Sequence, residues 1–262
     1  MMQVWETVPE WSECRRALNG REIGFVPTMG ALHRGHASLV ERCRMENEVA
    51  VVSIFVNPAQ FNDPQDLERY PRNLDHDLAL LESLGVDEVL LPRAKDLYPC
   101  GYRFRIEEEG LTRLMEGACR PGFFQGVMTV VLKLLNLVRP SRAYFGEKDY
   151  QQLRVIKEMT REFFVPTEIV ACPTVREESG LAASSRNALL SVAGRGKASV
   201  MAQALRQAPT CAKAAEMLEG AGFLVEYVEE HFGRRFAAAR LEGVRLIDNV
   251  PAGGCEANAS VS

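Results

Sequence analysis

One apolar segment near the N-terminus does most to limit the folds that this chain can adopt. Residues 49–56 are nearly all apolar, and many of them are β-branched. Such a run is typical of a strand that is buried on both faces of a parallel sheet. Because that sheet needs helices above and below it, the run predicts an α/β architecture.

The flanking sequence supplies alternating strands and helices for this architecture. Helical spacing of apolar residues alternates with short apolar runs bounded by Gly or Pro. Further strands are predicted at residues 23–26, 88–91, 103–107, 143–145 and 167–172. Helices are predicted at residues 11–18, 37–47, 75–84, 126–138 and 150–163, with a short one after Gly110. This order indicates a Rossmann-like parallel sheet.

The composition changes after Cys172, which predicts a second domain. Alanine-rich helices are expected at residues 197–207 and 211–220, and strands at residues 225–228 and 244–248, with residues 230–235 between them. We therefore predict an N-terminal domain of residues 1–174 and a smaller α+β C-terminal domain of residues 175–262. The tail of residues 251–262 lacks periodicity, which favours disorder there.

Charge and cysteine usage limit the partners of the protein. A net charge of −4 over 262 residues argues against the broad basic surface that nucleic acids need. No stretch approaches the length of a membrane span, and the N-terminus has no apolar signal core. The seven cysteines are odd in number and scattered, as free thiols in a reducing compartment are. We expect a cytoplasmic protein that binds neither nucleic acid nor membrane.

The loop PTMGALHRGH, residues 27–36, is the first candidate functional element. It joins a strand to a helix, and the N–H groups and dipole at a helix N-terminus favour anions. Gly30 and Gly35 permit a close backbone approach, and two of the four histidines, His33 and His36, lie three residues apart. A single histidine is more often a packing or surface residue, but a pair favours a site. Phosphate binding is preferred to a zinc site, because no nearby Cys, Asp or Glu completes a ligand set.

Several motifs together resemble a known enzyme family. The HxGH pattern resembles the HIGH motif of the nucleotidyltransferase superfamily. In order along the chain follow FVNPAQF, YPR, the Pro- and Gly-rich run of residues 121–127, FGEKDYQQL and SSRN, and later RLIDN. This series resembles the pantothenate synthetase (pantoate–β-alanine ligase) family over residues 25–187 and again at residues 245–249.

The resemblance implies a two-step reaction with ATP, pantoate and β-alanine as substrates. Pantoate would first be converted to pantoyl adenylate with release of pyrophosphate, and β-alanine would then displace AMP to give pantothenate. The resemblance also implies Mg²⁺ as the metal that accompanies ATP, a homodimer, and a C-terminal domain that acts as a lid over the nucleotide.

Residue roles are carried over at matching positions. His36 is the family's proton donor, and His33, Lys148 and Arg186 are its companions on the phosphates. The implied ATP contacts are Met29, Gly30, Ala31, Leu32, His33, Arg34, Gly35, His36, Gly146, Glu147, Lys148, Asp149, Val175, Ala183, Ser184, Ser185 and Arg186. Most lysines are simply solvated, but Lys148 follows a strand and a glycine, as a site residue does.

Two glutamines match those that hold pantoate in the family. An amide can accept from a hydroxyl and donate to a carboxylate, as a hydroxy acid requires, so Gln60 and Gln152 are the predicted pantoate ligands. The further implied contacts are Met29, Phe61, Asn57 and Arg120. Asp77 matches a magnesium-associated acid, although an acid in a first helical turn is often only a partner of the helix dipole.

Departures from the family pattern leave two other functions open. Phe123 stands where the family commonly has histidine, Ala183 where it commonly has methionine, and His76 beside Asp77 where an acid or small residue is usual. An adenylyltransferase of the same superfamily would use the HxGH loop without pantoate glutamines. A catalytically silent nucleotide-binding protein is the other alternative, and the retained His33 and Lys148 argue against it.

Overall fold

The computed structural model describes residues 2–252, and the chain divides into two compact units, Met1–Val175 and Arg176–Ser262. The division lies one residue beyond the expected domain boundary. The tail predicted to be disordered lies, after residue 252, outside the described residues. Among the described residues, no helix is long and apolar enough to cross a membrane.

The first unit alternates strands and helices. In chain order they are β1 (Gln3–Trp5), α1 (Val8–Ala17), β2 (Ile23–Thr28), α2 (Arg34–Glu46), β3 (Val49–Ile54), α3 (Pro64–Arg69), α4 (Leu74–Ser83), β4 (Glu88–Leu90), α5 (Ala94–Leu97), α6 (Met115–Cys119), α7 (Phe123–Val138), β5 (Arg142–Gly146), α8 (Tyr150–Glu162) and β6 (Glu168–Cys172). Single 3-10 turns occur at Pro58–Gln60, Leu111–Arg113 and Glu147–Asp149.

The six strands of this unit form one parallel sheet in the order β1-β4-β3-β2-β5-β6. The buried strand predicted at residues 49–56 is confirmed as β3. Its Val51 packs in a core with Trp11 of α1 and Ile156 of α8, whereas Val52 packs in a second core with Leu81 of α4. Alternate residues therefore face helices on opposite sides, and the α/β, Rossmann-like fold is confirmed.

One predicted strand of this unit is wrong. Residues 103–107 form bends and irregular backbone, and the Ile106 N–H donates to Thr129 Oγ1 at 3.1 Å instead of to a neighbouring strand. A strand exists only where a partner completes its hydrogen bonds. The short helix α3, which begins at Pro64, was not predicted.

The second unit contains helices and a three-stranded antiparallel sheet. Its elements are a 3-10 helix (Ser185–Leu189), α9 (Val192–Ala198), α10 (Val200–Gln207), α11 (Cys211–Gly220), β7 (Leu224–His231), β8 (Arg234–Leu241) and β9 (Val244–Pro251). The small α+β architecture is confirmed, but β8, the central strand, was missed. Its three alanines, which favour helix by propensity, are fully buried, so packing decides their conformation.

An ion pair fastens the start of this unit to its last strand. The Arg176 guanidinium donates through Nη1 to Asp248 Oδ2 at 2.7 Å and through Nη2 to Asp248 Oδ1 at 2.9 Å. The side chains are only 16% and 3% exposed. This pairing explains the aspartate of the RLIDN motif as a structural anchor for the segment that precedes the SSRN loop.

Replacing Asp248 with alanine leaves the Arg176 charge buried without its carboxylate. We expect the free energy of unfolding of this unit to fall by about 3 kcal/mol or more in urea titrations. The matched control Glu216→Ala removes the 62% exposed partner of Lys213 and should cost less than about 1 kcal/mol. Equal losses in the two variants would contradict the anchoring role.

Candidate active site

The predicted site residues of the first unit gather at the carboxyl edge of its sheet. The chain runs from β2 to β3 on one side of β2, whereas β5 lies on the other side. The loops that follow β2 and β5 therefore diverge at a topological switch point, where open α/β sheets bind ligands. The loop after β3 ends at the same edge.

The loop after β2 is held in an unusual conformation. Gly30 and Ala31 both have positive φ, 78° and 50°. The Gly30 N–H donates to Thr28 Oγ1, and the next two N–H groups, of Ala31 and Leu32, donate to the buried Asp77 carboxylate. The turn is thus fixed from both sides by side chains.

The two histidines cap α2 and are held by backbone N–H groups. The Gly35 N–H donates to His33 Nδ1 at 3.1 Å, and the His33 N–H donates to His36 Nδ1 at 3.4 Å. The ring centroids are 4.1 Å apart. Because Nδ1 accepts in each ring, the proton of each neutral imidazole must be on Nε2, so each ring has its Nε2–H left to donate.

The surroundings keep both rings neutral. Burial lowers the pKa of His33 to about 4, with the Lys148 charge as the second cause. Burial also lowers the pKa of His36 to about 3, and the further causes are repulsion from His33, when that ring is protonated, and from the Lys148 ammonium. Lys148 lies in the loop that follows β5, the strand that pairs with β2, so the two loops leave neighbouring strands. The negative charge of a bound polyphosphate would oppose these shifts.

The expectation that backbone N–H groups of this loop bind phosphate is not supported at most positions. Those of residues 30, 31, 32, 33 and 35 already donate to side chains of the protein. An anion at this loop would therefore meet imidazole N–H donors more than main-chain N–H donors. From sequence alone the helix N-terminus looked unsatisfied, because the side chains that fill it could not be placed.

The loop after β5 brings charge to the same edge. Gly146 ends the strand, and Glu147, Lys148 and Asp149 form a 3-10 turn that leads into α8. The Lys148 side chain is only 19% exposed, and its Nζ lies 3.6 Å from Asp149 Oδ1. A largely buried ammonium beside two neutral imidazoles makes this part of the site suited to an anion.

The loop after β3 presents one glutamine in a fixed orientation. Asn57 is 1% exposed and donates to Gln60 Oε1 and to the Gly126 carbonyl, both at 3.2 Å. The Tyr98 hydroxyl donates to Asn57 Oδ1 at 2.9 Å. Asn57 is thus occupied on both sides of its amide and orients Gln60, whose Nε2 donates to Met29 Sδ. The contribution of Tyr98 was not predicted.

Arg120, the C-cap residue of α6, holds this loop in place. Its Nη2 donates to the Gln60 carbonyl at 3.2 Å, and its guanidinium lies 3.7 Å from the centroid of the Phe123 ring. Glu116, 8% exposed, is 3.6 Å from Arg120 Nη1. Phe123 therefore provides a face for the guanidinium. Phe61 packs edge-on against Tyr70 at 5.6 Å.

The glutamine pair at the start of α8 divides into two roles. Gln151 is 4% exposed; its Nε2 donates to the Leu111 and Leu114 carbonyls, and its Oε1 accepts from the Glu116 N–H. Gln152 is only partly buried. Because Gln151 and Gln152 are adjacent and identical in type, the sequence could not show that Gln151 positions α6. The only hint in the sequence is that Gln151 stands next to Gln152 on a helix that has an apolar face.

The remaining predicted nucleotide contacts, apart from Val175, belong to the second unit. Ser184 Oγ accepts from the Arg186 N–H at 3.3 Å and begins the 3-10 helix. Asn187 Nδ2 donates to the Ala182 carbonyl and to Glu177 Oε1. Ala183 is buried, so its methyl group lies inside this unit. The SSRN loop is thus well fixed.

The described residues contain no cluster of three or more His, Cys, Asp or Glu side chains that could hold a metal ion. Asp77, the predicted magnesium ligand, is 1% exposed, and both of its oxygens accept from backbone N–H groups. These contacts do not fit an oxygen aimed at a cation. Its role as a metal ligand stays a prediction.

Comparison with known proteins identifies the family. The family model for pantoate-beta-alanine ligase matches residues 3–251. The chain belongs to the pantoate–β-alanine ligase family. A pantothenate synthetase of Bdellovibrio bacteriovorus is 52% identical over 95% of this chain and 99% of its own, and one of Legionella pneumophila (strain Corby) is 49% identical over 95% and 99%.

Solved structures of the family have the same fold. The pantoate–β-alanine ligase of Francisella tularensis, crystallised with β-γ ATP and β-alanine, superposes with a TM-score of 0.92 at 42% identity, covering 96% of this chain and 98% of its own. Pantothenate synthetase of Thermus thermophilus superposes with a TM-score of 0.88 at 46% identity, covering 95% and 99%. The family resemblance read from the motifs is confirmed.

The lowered histidine pKa values predict a pH-dependent stability. Both folded values lie below the unfolded value of about 6.5, so the unfolded chain takes up protons first as the pH falls. Above about pH 6.5 the two histidines should not make the free energy of unfolding depend on pH. As the pH falls from about 6.5 to about 4, they should reduce the free energy of unfolding by more than about 1 kcal/mol.

Urea unfolding at a series of pH values measures this slope. It should be smaller in the double variant His33→Asn, His36→Asn than in the wild type. The control His76→Asn, at a side chain that is 61% exposed, should keep the wild-type slope. If the double variant kept the full slope, the lowered pKa values of His33 and His36 would be refuted.

Proposed function

We propose that this protein condenses pantoate with β-alanine at the expense of ATP, giving pantothenate, AMP and pyrophosphate through a pantoyl adenylate. Membership of the family over nearly the whole chain supports this function. The observation that carries the mechanism is the pair of neutral imidazoles with Nε2–H groups available to donate beside Lys148. Such a site can stabilise phosphate charge without a nucleophilic side chain.

In the first step, a pantoate carboxylate oxygen attacks the α-phosphorus of ATP. The new O–P bond forms as the bond to the bridging oxygen breaks, and pyrophosphate leaves with that electron pair. Negative charge grows on the phosphate oxygens, and fixed donors at His33, His36 and Lys148 lower the barrier because they need little reorganisation. Arg186 of the second unit is proposed as a further donor to the polyphosphate.

In the second step, the amine of β-alanine attacks the acyl carbon of the adenylate. The C–N bond forms, AMP leaves with the electrons of the acyl–oxygen bond, and the ammonium formed loses a proton. Holding two reactants in one site makes this step effectively unimolecular. A protein that excludes water until β-alanine arrives protects the adenylate from hydrolysis.

Two amides are proposed to select pantoate. Gln60 is buried, and its amide is held by Asn57 at Oε1 and by Met29 Sδ at Nε2, which supports a fixed orientation toward a bound acid. Gln152 is the second proposed ligand, and Phe61 and Met29 would shelter the methyl groups. Asn57 and Arg120 are proposed to act on pantoate through Gln60. Their hydrogen bonds hold the loop that carries Gln60.

The other nucleotide contacts and the assembly rest on the family resemblance. They comprise Gly30, Ala31, Leu32, Arg34, Gly35, Gly146, Glu147, Asp149, Val175, Ala183, Ser184 and Ser185 for ATP, and a homodimer. Mg²⁺ is proposed to enter with the ATP phosphates, as part of the substrate. We propose a cytoplasmic location, because scattered cysteines without a pairing pattern are typical of a reducing compartment.

Exchange of labelled pyrophosphate into ATP tests the function. We expect exchange that requires pantoate and Mg²⁺ and does not require β-alanine, because the first step alone reverses. Exchange without pantoate would instead indicate an adenylyltransferase. No exchange with every component present would indicate a silent nucleotide-binding protein. Either result overturns the proposal.

Removing the Lys148 ammonium should slow adenylation. Because one fixed donor commonly supplies a factor of about 100 or more in rate, Lys148→Ala should lower the single-turnover rate of adenylate formation by at least that factor. The control Lys157→Ala, an exposed lysine of α8, should keep the wild-type rate. Rapid-quench measurement of a normal rate in Lys148→Ala would exclude the assigned role.

A further inference from the structure

Asp77 makes contacts that point away from metal binding and toward the histidine loop. It lies in the first turn of α4 and is 1% exposed. Its Oδ1 accepts from the Leu32 N–H at 2.7 Å, and its Oδ2 accepts from the Ala31 N–H at 2.8 Å. The carboxylate therefore joins α4 to the loop that follows β2.

The backbone at this point is shaped to receive an anion. Gly30 and Ala31 have φ values of 78° and 50°, a left-handed conformation that residues with a Cβ avoid. Turns with left-handed residues can direct successive N–H groups into one concavity that binds an anion. Here the anion is supplied by the protein itself, as the Asp77 carboxylate.

The fit between the turn and the carboxylate is close. A Cβ added to Gly30 would lie 2.9 Å from Asp77 Oδ2 and 3.1 Å from Ile54 Cγ2. His76 is an ionisable neighbour of the carboxylate: its Nδ1 is 3.8 Å from Oδ1, and its side chain is 61% exposed. Charge-assisted bonds to two N–H groups in a buried setting hold the turn more firmly than neutral ones would.

We propose that Asp77 is a positioning residue for adenylation, which holds the left-handed turn and so sets where His33 and His36 present their Nε2–H groups. The turn ends directly at His33, the N-cap of α2, so a rotation there moves both rings. The inference rests on the proposed function only for the reaction that is assayed.

The variant Asp77→Asn tests this role, because an amide keeps one acceptor and turns an N–H donor toward a backbone N–H. Asp75→Asn is the matched control: it removes the same charge from the same helical turn at an exposed side chain. We expect kcat for pantoate-dependent pyrophosphate exchange to fall about a hundredfold in Asp77→Asn, the size expected for misplaced groups, and to stay unchanged in Asp75→Asn.

Two further readings separate positioning from metal binding and from general damage. The amide proton resonances of Ala31 and Leu32 should move upfield in Asp77→Asn alone, without substrate present. The affinity of the enzyme–ATP complex for Mn²⁺, followed by electron paramagnetic resonance, should stay the same. Loss of a direct ligand would lower that affinity by about tenfold or more and would overturn the proposal, as would wild-type exchange in Asp77→Asn.

Gly30→Ala decides the case if Asp77→Asn does not fold. It disturbs the same contact from the other side, because the added Cβ would lie 2.9 Å from Asp77 Oδ2, and it leaves the chemical identity of the carboxylate unchanged. We expect the same loss of kcat with Mn²⁺ affinity unchanged, and normal exchange in this variant would contradict the inference. Failure of the wild type to exchange at all would instead refute the proposed function, while the amide shifts would still report on the turn.

Discussion

The two imidazoles proposed for catalysis each accept a hydrogen bond from a backbone N–H at one ring nitrogen, and the proposed chemistry depends on this. Gly35 and His33 donate to the two Nδ1 atoms, so the protons remain on Nε2. Burial and Lys148 then keep the rings neutral. The loop can hold both rings in this way because its own N–H groups are satisfied by Thr28, Asp77 and the histidines themselves. At this helix N-terminus the main-chain N–H groups are used within the protein, and the proposed anion site relies on side-chain donors instead.

The sequence predicted the parts of the fold that follow from patterning. The apolar run of β3 is buried on both faces, and strand–helix alternation gave the parallel sheet, since burial on two faces leaves few other architectures. It also placed the HxGH and GEKD loops at strand ends. Their adjacency follows from the order β2-β5, which no local pattern encodes, although the resemblance to the family supplied it.

What could not be predicted depends on contacts between distant segments. The alanines of β8 favour helix by themselves, and only their burial between β7 and β9 makes a strand. Gln151 and Gln152 are identical in type, yet one braces α6 and the other is left partly exposed. From the sequence, Asp77 was read as a partner of the helix dipole or a metal ligand. The groups that donate to its carboxylate are main-chain N–H groups 45 and 46 residues away. Main-chain donors carry no sequence signature.

Nitrogen-15 NMR of histidine-labelled protein at pH 7 tests the central claim most directly. The chemical shifts of the two ring nitrogens distinguish the Nε2–H tautomer, the Nδ1–H tautomer and the imidazolium, and the single variants His33→Asn and His36→Asn assign the signals. We predict the neutral Nε2–H tautomer for both rings before any substrate is added. An Nδ1–H tautomer or an imidazolium at either position would contradict the account, because that ring could not be held by a backbone N–H at Nδ1.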